Sequence, residues 1–214
     1  MKTLLVGINA KYIHTNLAIR LLVANTLYDV DFIEFTIKDE KEAIIDYIIN
    51  NNYEIVGFSC YIWNIEIIKE ILLILKEKSP NITIILGGPE VSYDPDIYIN
   101  NYQVSYVVLG EGEIAFHKIL ANLHHDSSEV IPNIVSQDYH GQIHEISDLN
   151  SLNSPHYLPN EYKSRITYIE TSRGCPFHCA YCLASLEKHV RFFNTDRVKK
   201  DILYLQDQGT KTFK

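Results

Sequence analysis

Along the first 125 residues the apolar positions switch repeatedly between a strand-like and a helical period, which predicts a repeated strand–helix unit. Thr3-Leu4-Leu5-Val6-Gly7-Ile8 is short and almost wholly apolar, the pattern of a strand buried on both faces. From about Asn16 to Leu27 the apolar residues Leu17, Leu21 and Ala24 recur at helical spacing. Val30 to Ile37 sets Phe32, Ile33, Phe35 and Ile37 around Asp31 and Glu34 as a second strand, and Ala43, Ile44, Tyr47 and Ile48 mark the next helix. Ile55 to Cys60 reads as the third strand, and a helix from about Ile62 to Lys78 stops before Pro80. Ile82 to Leu86 is the fourth strand, a short helical segment spans Asp96 to Asn101, and Ser105 to Leu109 is the fifth. A last helix opens at Gly110-Glu111-Gly112-Glu113 and runs to about Leu123. Apolar strands separated by amphipathic helices predict an α/β fold, a flavodoxin/Rossmann-like five-stranded parallel sheet with helices on both faces.

After His124-His125-Asp126-Ser127-Ser128 the texture changes. Asn133 to Gln137 and Gln142 to Ser147 predict two short strands joined by the turn Asp138-Tyr139-His140-Gly141. Asp148 to Lys163 is polar, holds Pro155 and Pro159, and reads as a linker. Ile166 to Glu170 predicts a strand, Arg197 to Gln208 a helix closed by Gly209, and Thr210 to Lys214 the start of another strand. The expected organisation is a sheet domain over 1–130, a hairpin and linker over 131–163, and a further unit over 164–214.

The strongest chemical signal is Gly174-Cys175-Pro176-Phe177-His178-Cys179-Ala180-Tyr181-Cys182, a Cys-x3-Cys-x2-Cys triad. Cysteine thiolates hold iron–sulfur clusters, and a closed cubane takes four of them. Three ligands in one loop therefore leave one iron open, the mark of a reactive rather than a structural metal site. The alternative is zinc on the same cysteines with His178 or His189, although zinc sites favour paired Cys-x2–4-Cys spacings. Cys60 is far upstream and reads as a buried strand-end thiol.

The triad, with Tyr181 just before its last cysteine and Glu170-Thr171-Ser172-Arg173-Gly174 ahead of it, resembles the radical S-adenosylmethionine superfamily. The resemblance implies a 4Fe–4S cluster on Cys175, Cys179 and Cys182, with S-adenosylmethionine on the open iron and Tyr181 against its adenosine. It further implies cleavage of the sulfonium to a 5′-deoxyadenosyl radical, with a flavodoxin or ferredoxin as electron donor. Residues 164–214 would be the first units of the family's (β/α) barrel. A full barrel takes roughly 250 residues, so the chain is expected to be a fragment cut early in that barrel and inactive by itself.

Ligands of open parallel sheets bind beyond the carboxyl ends of the strands. Those ends carry Asn9 to His14, Ser59-Cys60-Tyr61, Gly87-Gly88-Pro89-Glu90 and Gly110-Glu111-Gly112-Glu113. Glycines there allow close backbone approach and suit a large flat or phosphate-bearing ligand. This half resembles the cobalamin-binding domain that precedes the barrel in one branch of the superfamily, with the two glycine segments matching best. That branch includes methyltransferases and an anaerobic magnesium-protoporphyrin monomethyl ester cyclase. The resemblance implies cobalamin contacts from Asn9, Ser59, Tyr61, Gly87, Gly88, Pro89, Glu90, Gly110, Glu111, Gly112 and Glu113. Cobalamin domains of the mutase type carry Asp-x-His-x-x-Gly after the first strand, whereas this chain has Asn9-Ala10-Lys11-Tyr12-Ile13-His14. Cobalamin is therefore expected without a histidine lower ligand. Trp63 reads as packing at a helix start, and Glu111 and Glu113 as favouring a helix amino terminus through its dipole.

Composition narrows the partners. A net charge of −8 gives no general attraction to nucleic acid or anionic lipid. The basic positions Arg191, Arg197, Lys199 and Lys200 read as the solvated face of a helix. No apolar run approaches the roughly 18 residues of a spanning helix, and a cytoplasmic location is expected. The reading is a fragment of a radical S-adenosylmethionine enzyme performing methyl transfer or oxidative cyclisation on an unknown small molecule. The alternative is a non-catalytic cobalamin or nucleotide module with a metal-binding tail. A tRNA methylthiolating relative would need three more cysteines, and only Cys60 remains.

Overall fold

The computed structural model describes residues 1–127, 129–159, 164–177, 179–182 and 189–214. His178 of the zinc alternative and the linker's end at 160–163 lie outside the described residues. Strands β1 (Thr3–Asn9), β2 (Val30–Thr36), β3 (Ile55–Ser59), β4 (Thr83–Gly87) and β5 (Tyr106–Val108) run parallel in the order β2-β1-β3-β4-β5. β1 lies between β2 and β3 with every residue buried, as its unbroken apolar run requires.

Side chains of a strand alternate between the two faces of its sheet, and here each face has its own core. Leu4, Val6, Ile8, Val56, Phe58, Ile84 and Leu86 pack against α2 (Lys41–Asn50), α3 (Ile65–Lys78) and α5 (Pro95–Tyr102). Leu5, Ile55, Ile85 and Val108 face the other way, toward Ile19 of α1 (Leu17–Ala24) and Phe116, Ile119 and Leu120 of α6 (Glu113–Leu123). α1 starts where Asn16 caps it, its Oδ1 accepting from the Ile19 N–H at 3.2 Å. A four-residue helix, α4 (Pro89–Ser92), follows β4.

The parallel sheet is as the sequence predicts, but it does not stop at five strands. β6 (Ile134–Ser136) and β7 (Tyr139–His140) join its β5 edge antiparallel and make it seven-stranded. The second hairpin arm therefore falls earlier than expected, and residues 142–147 form no strand. Asn133 replaces the ladder there. Its Nδ2 donates to the His144 carbonyl at 2.9 Å and its Oδ1 accepts from the His144 N–H at 3.1 Å. Peeled from the sheet, this segment becomes a wall of the cavity described below.

β8 (Ile166–Thr167) pairs in parallel with β11 (Thr212–Phe213) across α7 (Thr195–Asp207), a strand–helix–strand unit. β9 (Ser172–Arg173) and β10 (Arg191–Phe192) pair antiparallel and bracket the cysteine segment. That pair is absent from the sequence reading, and it corrects the assignment of Arg191 to a solvated helix face. Arg197 is on α7 but turns inward, its Nη1 donating to the Leu149 and Leu152 carbonyls at 3.2 and 2.5 Å. Lys199 and Lys200 are exposed on α7 as expected.

The second unit is fastened to the sheet beside β1. The Ile166 N–H donates to the Ile13 carbonyl at 2.7 Å, and the Thr15 N–H to the Ile166 carbonyl at 3.3 Å. Next to this seam the Glu34 carboxylate takes Arg20 on Oε1 at 2.6 Å and Arg165 on Oε2 at 2.5 Å. Oε2 also accepts from Asn9 Nδ2 at 2.9 Å and the Asn16 N–H at 3.2 Å. All three charged side chains are buried, so Glu34 neutralises two guanidiniums that water does not reach. Removing one partner of such a cluster costs about 3–5 kcal/mol. Glu34→Ala is therefore expected to lower the unfolding free energy by about that much in urea titrations. Lys41→Ala, at the exposed pair with Glu70, is expected to leave the midpoint nearly unmoved.

Candidate cofactor site

On the α1/α6 face of the sheet, side chains shrink toward the carboxyl ends of the strands. In register, Leu5, Gly57 and Ile85 stand at one level and Gly7, Ser59 and Gly87 at the next, where the Asn16 side chain packs over Gly7. Helices packed on the large residues cannot also close on the small ones, and a cavity of about 1130 Å³ opens there. Gly57, Ser59, Tyr61, Gly87, Gly88 and Pro89 form one side of it. Gly110, Glu111, Gly112 and Glu113 form a second side, and Ile143, His144 and Glu145 a third. Ser172, Arg173, Gly174 and His189 complete it from the cysteine-bearing hairpin. Ordinary small-molecule pockets span about 300–1,000 Å³, so this one suits a large ligand.

The two glycines after β4 have different tasks. A Cβ on Gly87 would meet Val108 at an ordinary 3.7 Å, so this cavity-lining position tolerates a side chain without a clash. Gly88 has φ +118°, and a Cβ there would lie 2.4 Å from the Cys60 carbonyl oxygen. The two segments are clamped together, with the Cys60 N–H donating to the Gly87 carbonyl at 2.7 Å. Cys60 is wholly buried, and burial pushes its thiol far up from the usual range, so it is chemically quiet. Tyr61 lines the cavity and stacks flat on Trp63, centroids 4.5 Å apart, while Trp63 Nε1 donates to the Ile8 carbonyl at 3.2 Å. Burial raises the Tyr61 phenol's pKa.

Not every expected contact is on this surface. Asn9 is spent inside the fold, donating to the His14 carbonyl and to Glu34 and accepting from Asn16 Nδ2 at 3.3 Å. Glu90 lies in the first turn of α4, outside the cavity lining. His14 is turned to Tyr168, with its Nδ1 2.8 Å from the phenol oxygen, and does not line the cavity. The imidazoles that do line it, His144 and His189, come from the opposite walls. Tyr181 stands 93% exposed.

Glu111 and Glu113 belong to an ion cluster rather than serving the helix dipole alone. Arg173 reaches Glu111 at 3.2 Å, Glu113 at 2.5 Å and Glu170 at 2.9 Å. Arg191 takes the other Glu111 oxygen at 2.9 Å, and that oxygen also accepts the Ile146 N–H at 2.5 Å. Burial opposes ionisation of Glu111, but bonds from Arg191 and Ile146 and the charge of Arg173 outweigh it, holding its carboxyl below the usual range. Burial likewise opposes the charge on Arg173, and its bond to Glu113 outweighs that, raising its pKa. No sequence pattern pairs residues 62 positions apart; the signal available was only that both lie in glycine-flanked segments.

The three tail cysteines share one loop at the cavity rim, Cys175 directly after the lining residue Gly174. Cys175 and Cys179 are half-buried and Cys182 is exposed, with the Cys182 N–H donating to the Cys179 carbonyl at 3.1 Å. Among the described residues no three His, Cys, Asp or Glu side chains are arranged as a metal site. The thiols' donor chemistry, three soft sulfurs without a fourth, fits an iron–sulfur cluster with an open iron. Among the described residues no helix is long and apolar enough to cross a membrane.

Residues 3–120 match the B12 binding domain family. The chain belongs to that family. The matched span contains the five parallel strands and the glycine segments that line the cavity. The chain is 26% identical over 169 residues to the cobalamin-dependent radical SAM methyltransferase TokK of Streptomyces tokunonensis, 70% of this chain and 25% of that protein. It is 30% identical over 135 residues to the anaerobic magnesium-protoporphyrin IX monomethyl ester cyclase of Synechocystis, 54% of this chain and 26% of that protein. Its fold matches the radical S-adenosylmethionine methyltransferase TsrM of Kitasatospora setae with TM-score 0.72 at 16% identity, over 99% of this chain and 47% of that one. The chain thus spans about a quarter of these curated relatives and about half of TsrM.

A carboxyl held below its ordinary range stabilises the fold above its unfolded-state pKa and loses that effect as pH falls through the folded value. Glu111→Gln is accordingly expected to lose stability at neutral pH. The gap to the unsubstituted chain should narrow as urea titrations move below the ordinary glutamate range. A gap independent of pH down to strong acid would show that charge is not what Glu111 contributes.

Proposed function

We propose that this B12 binding domain holds cobalamin in the glycine-lined cavity, beside a 4Fe–4S cluster on Cys175, Cys179 and Cys182 that binds S-adenosylmethionine. The observation that carries the reading is the continuity of one wall. Gly174 lines the cavity, and Cys175 is the next residue. Any ligand filling the cavity therefore comes to rest against the base of the cysteine loop. When bound, the two cofactors would supply one-electron cleavage of S-adenosylmethionine and carriage of a methyl group.

The protein's part is positional. Gly87 leaves room for a flat ring system to approach the strand ends, and Tyr61 gives it a rigid aromatic neighbour. The apolar floor of Leu5, Ile85 and Phe116 excludes water from the inner end. Tyr181, next to the last cysteine, would lie against the adenosine. The reaction proposed is methyl transfer, as in TokK, to a small molecule, with a flavodoxin or ferredoxin supplying electrons. Oxidative cyclisation of the kind named for the Synechocystis relative is the same class of radical chemistry.

Equilibrium dialysis with hydroxocobalamin tests the cavity. Gly87→Phe puts a ring into the open space without the backbone clash that Gly88 would suffer, so binding is expected to fall at least tenfold while the urea midpoint stays in place. Unchanged binding would move the cofactor elsewhere. Anaerobic reconstitution with iron and sulfide is expected to load one 4Fe–4S cluster per chain, and Cys179→Ala to lose most of it. Equal loading of the variant would sink the ligand assignment, and corrinoid uptake without any iron would favour a binding module.

A further inference from the structure

Arg173 stands two residues before the first cysteine and one before Gly174, whose φ of +90° turns the chain into the cysteine loop. Its guanidinium is only 10% exposed and is gripped from the far side of the cavity by Glu111 and Glu113. Those carboxylates follow β5 in the B12-binding sheet, while Glu170, the third, belongs to the hairpin's own segment. One side chain thus ties two walls of the cavity together.

The pair β9–β10 depends on this grip. Arg173 and Arg191 are directly opposite in its register. Like charges facing each other across two strands repel. Glu111 sits between them with one oxygen on each, Oε1 on Arg173 and Oε2 on Arg191, and converts the repulsion into a bridge. Glu113 and Glu170 also hold Arg173, and Glu145 lies 3.6 Å from Arg191, but Glu111 is the carboxylate that joins the two arginines. The cysteine loop hangs from exactly these strands.

We infer that Arg173 is a latch that links occupancy of the cavity to the order of the cysteine loop, so that corrinoid and cluster bind cooperatively. This rests on the cofactor reading above. The latched arrangement presents Gly110 and Gly112 on one wall and Ser172 and Gly174 on the other at fixed separation, so a ligand touching both walls binds it better than an unlatched one. A ligand shifts an equilibrium only through such differential contact. The effect is reciprocal, so a cluster that rigidifies the loop must tighten corrinoid binding by the same factor. Arg173 acts here as a positioning residue, touching neither metal nor substrate.

The test uses iodoacetamide alkylation of the chain without cluster, followed peptide by peptide, with and without saturating cyanocobalamin. Cyanocobalamin is expected to slow alkylation at Cys175, Cys179 and Cys182 about fivefold or more, with buried Cys60 unreactive throughout as an internal reference. In Arg173→Gln, and in Glu113→Gln should the first variant not fold, the protection is expected to vanish at the cyanocobalamin concentration that dialysis on that variant shows to saturate it. Reconstitution with iron and sulfide should tighten cyanocobalamin binding several-fold in the unsubstituted chain only. Bound cyanocobalamin without protection overturns the latch and spares the cavity reading. Protection undiminished in the variants overturns the role of Arg173, since simple shielding would then explain it. No cyanocobalamin bound to the unsubstituted chain defeats the cavity reading itself, and the latch with it.

Discussion

A sheet face that passes from leucine and isoleucine to glycine within one or two alternations cannot be covered evenly by straight helices. α1 and α6 rest on Leu5, Ile55 and Ile85; Leu5 also covers Gly57, and beyond it Ser59, Gly87 and Gly88 line the cavity. The opposite face keeps its size to the ends of the strands, with Ile8, Phe58 and Leu86 all buried. The same strands thus supply a sealed core on one side and a binding space on the other. The central strand tapers first, since Gly57 stands level with Leu5 and Ile85, and Ser59 and Gly87 follow one step on beside the cavity.

Charge does the remaining assembly. Two glutamates, Glu34 and Glu111, each hold a pair of arginines; one of Glu34's and both of Glu111's come from the region after residue 163. Buried ion pairs of this sort add little net stability over apolar packing. They are unforgiving of mispairing, however, because a lone buried arginine has no acceptable alternative. The two clusters lie at different seams, one beside β1 and one at the cavity, so they fix the orientation of the second unit as well as its attachment. Apolar packing at that boundary is confined to small groups such as Ile146, Leu149, Leu152 and Phe193.

Much of this was legible in the chain itself. The parallel sheet follows from apolar runs too short for helices, and the glycine segments after β4 and β5 do line the cavity. What escaped was long-range or compensated by side chains. Asn133 substitutes for a strand's ladder, so the apolar spacing of residues 142–147 suggested a pairing that does not exist. Arg191 looks like any solvated basic residue until Glu111, 80 positions earlier, is folded beside it. Asn9 occupies a strand end where ligands bind, yet its amide is consumed by Glu34, His14 and Asn16. Gly57 was read only as part of a strand. Its place in register between Leu5 and Ile85 is what makes it part of the taper.

The stacked pair at the cavity wall has an optical consequence. The chain has one tryptophan, Trp63, and its indole lies parallel to the Tyr61 ring that faces the cavity. Its fluorescence originates one ring's thickness from whatever occupies that space. A strongly coloured guest would darken it by energy transfer, while a colourless one would leave it bright, so the molecule carries its own gauge of what has entered.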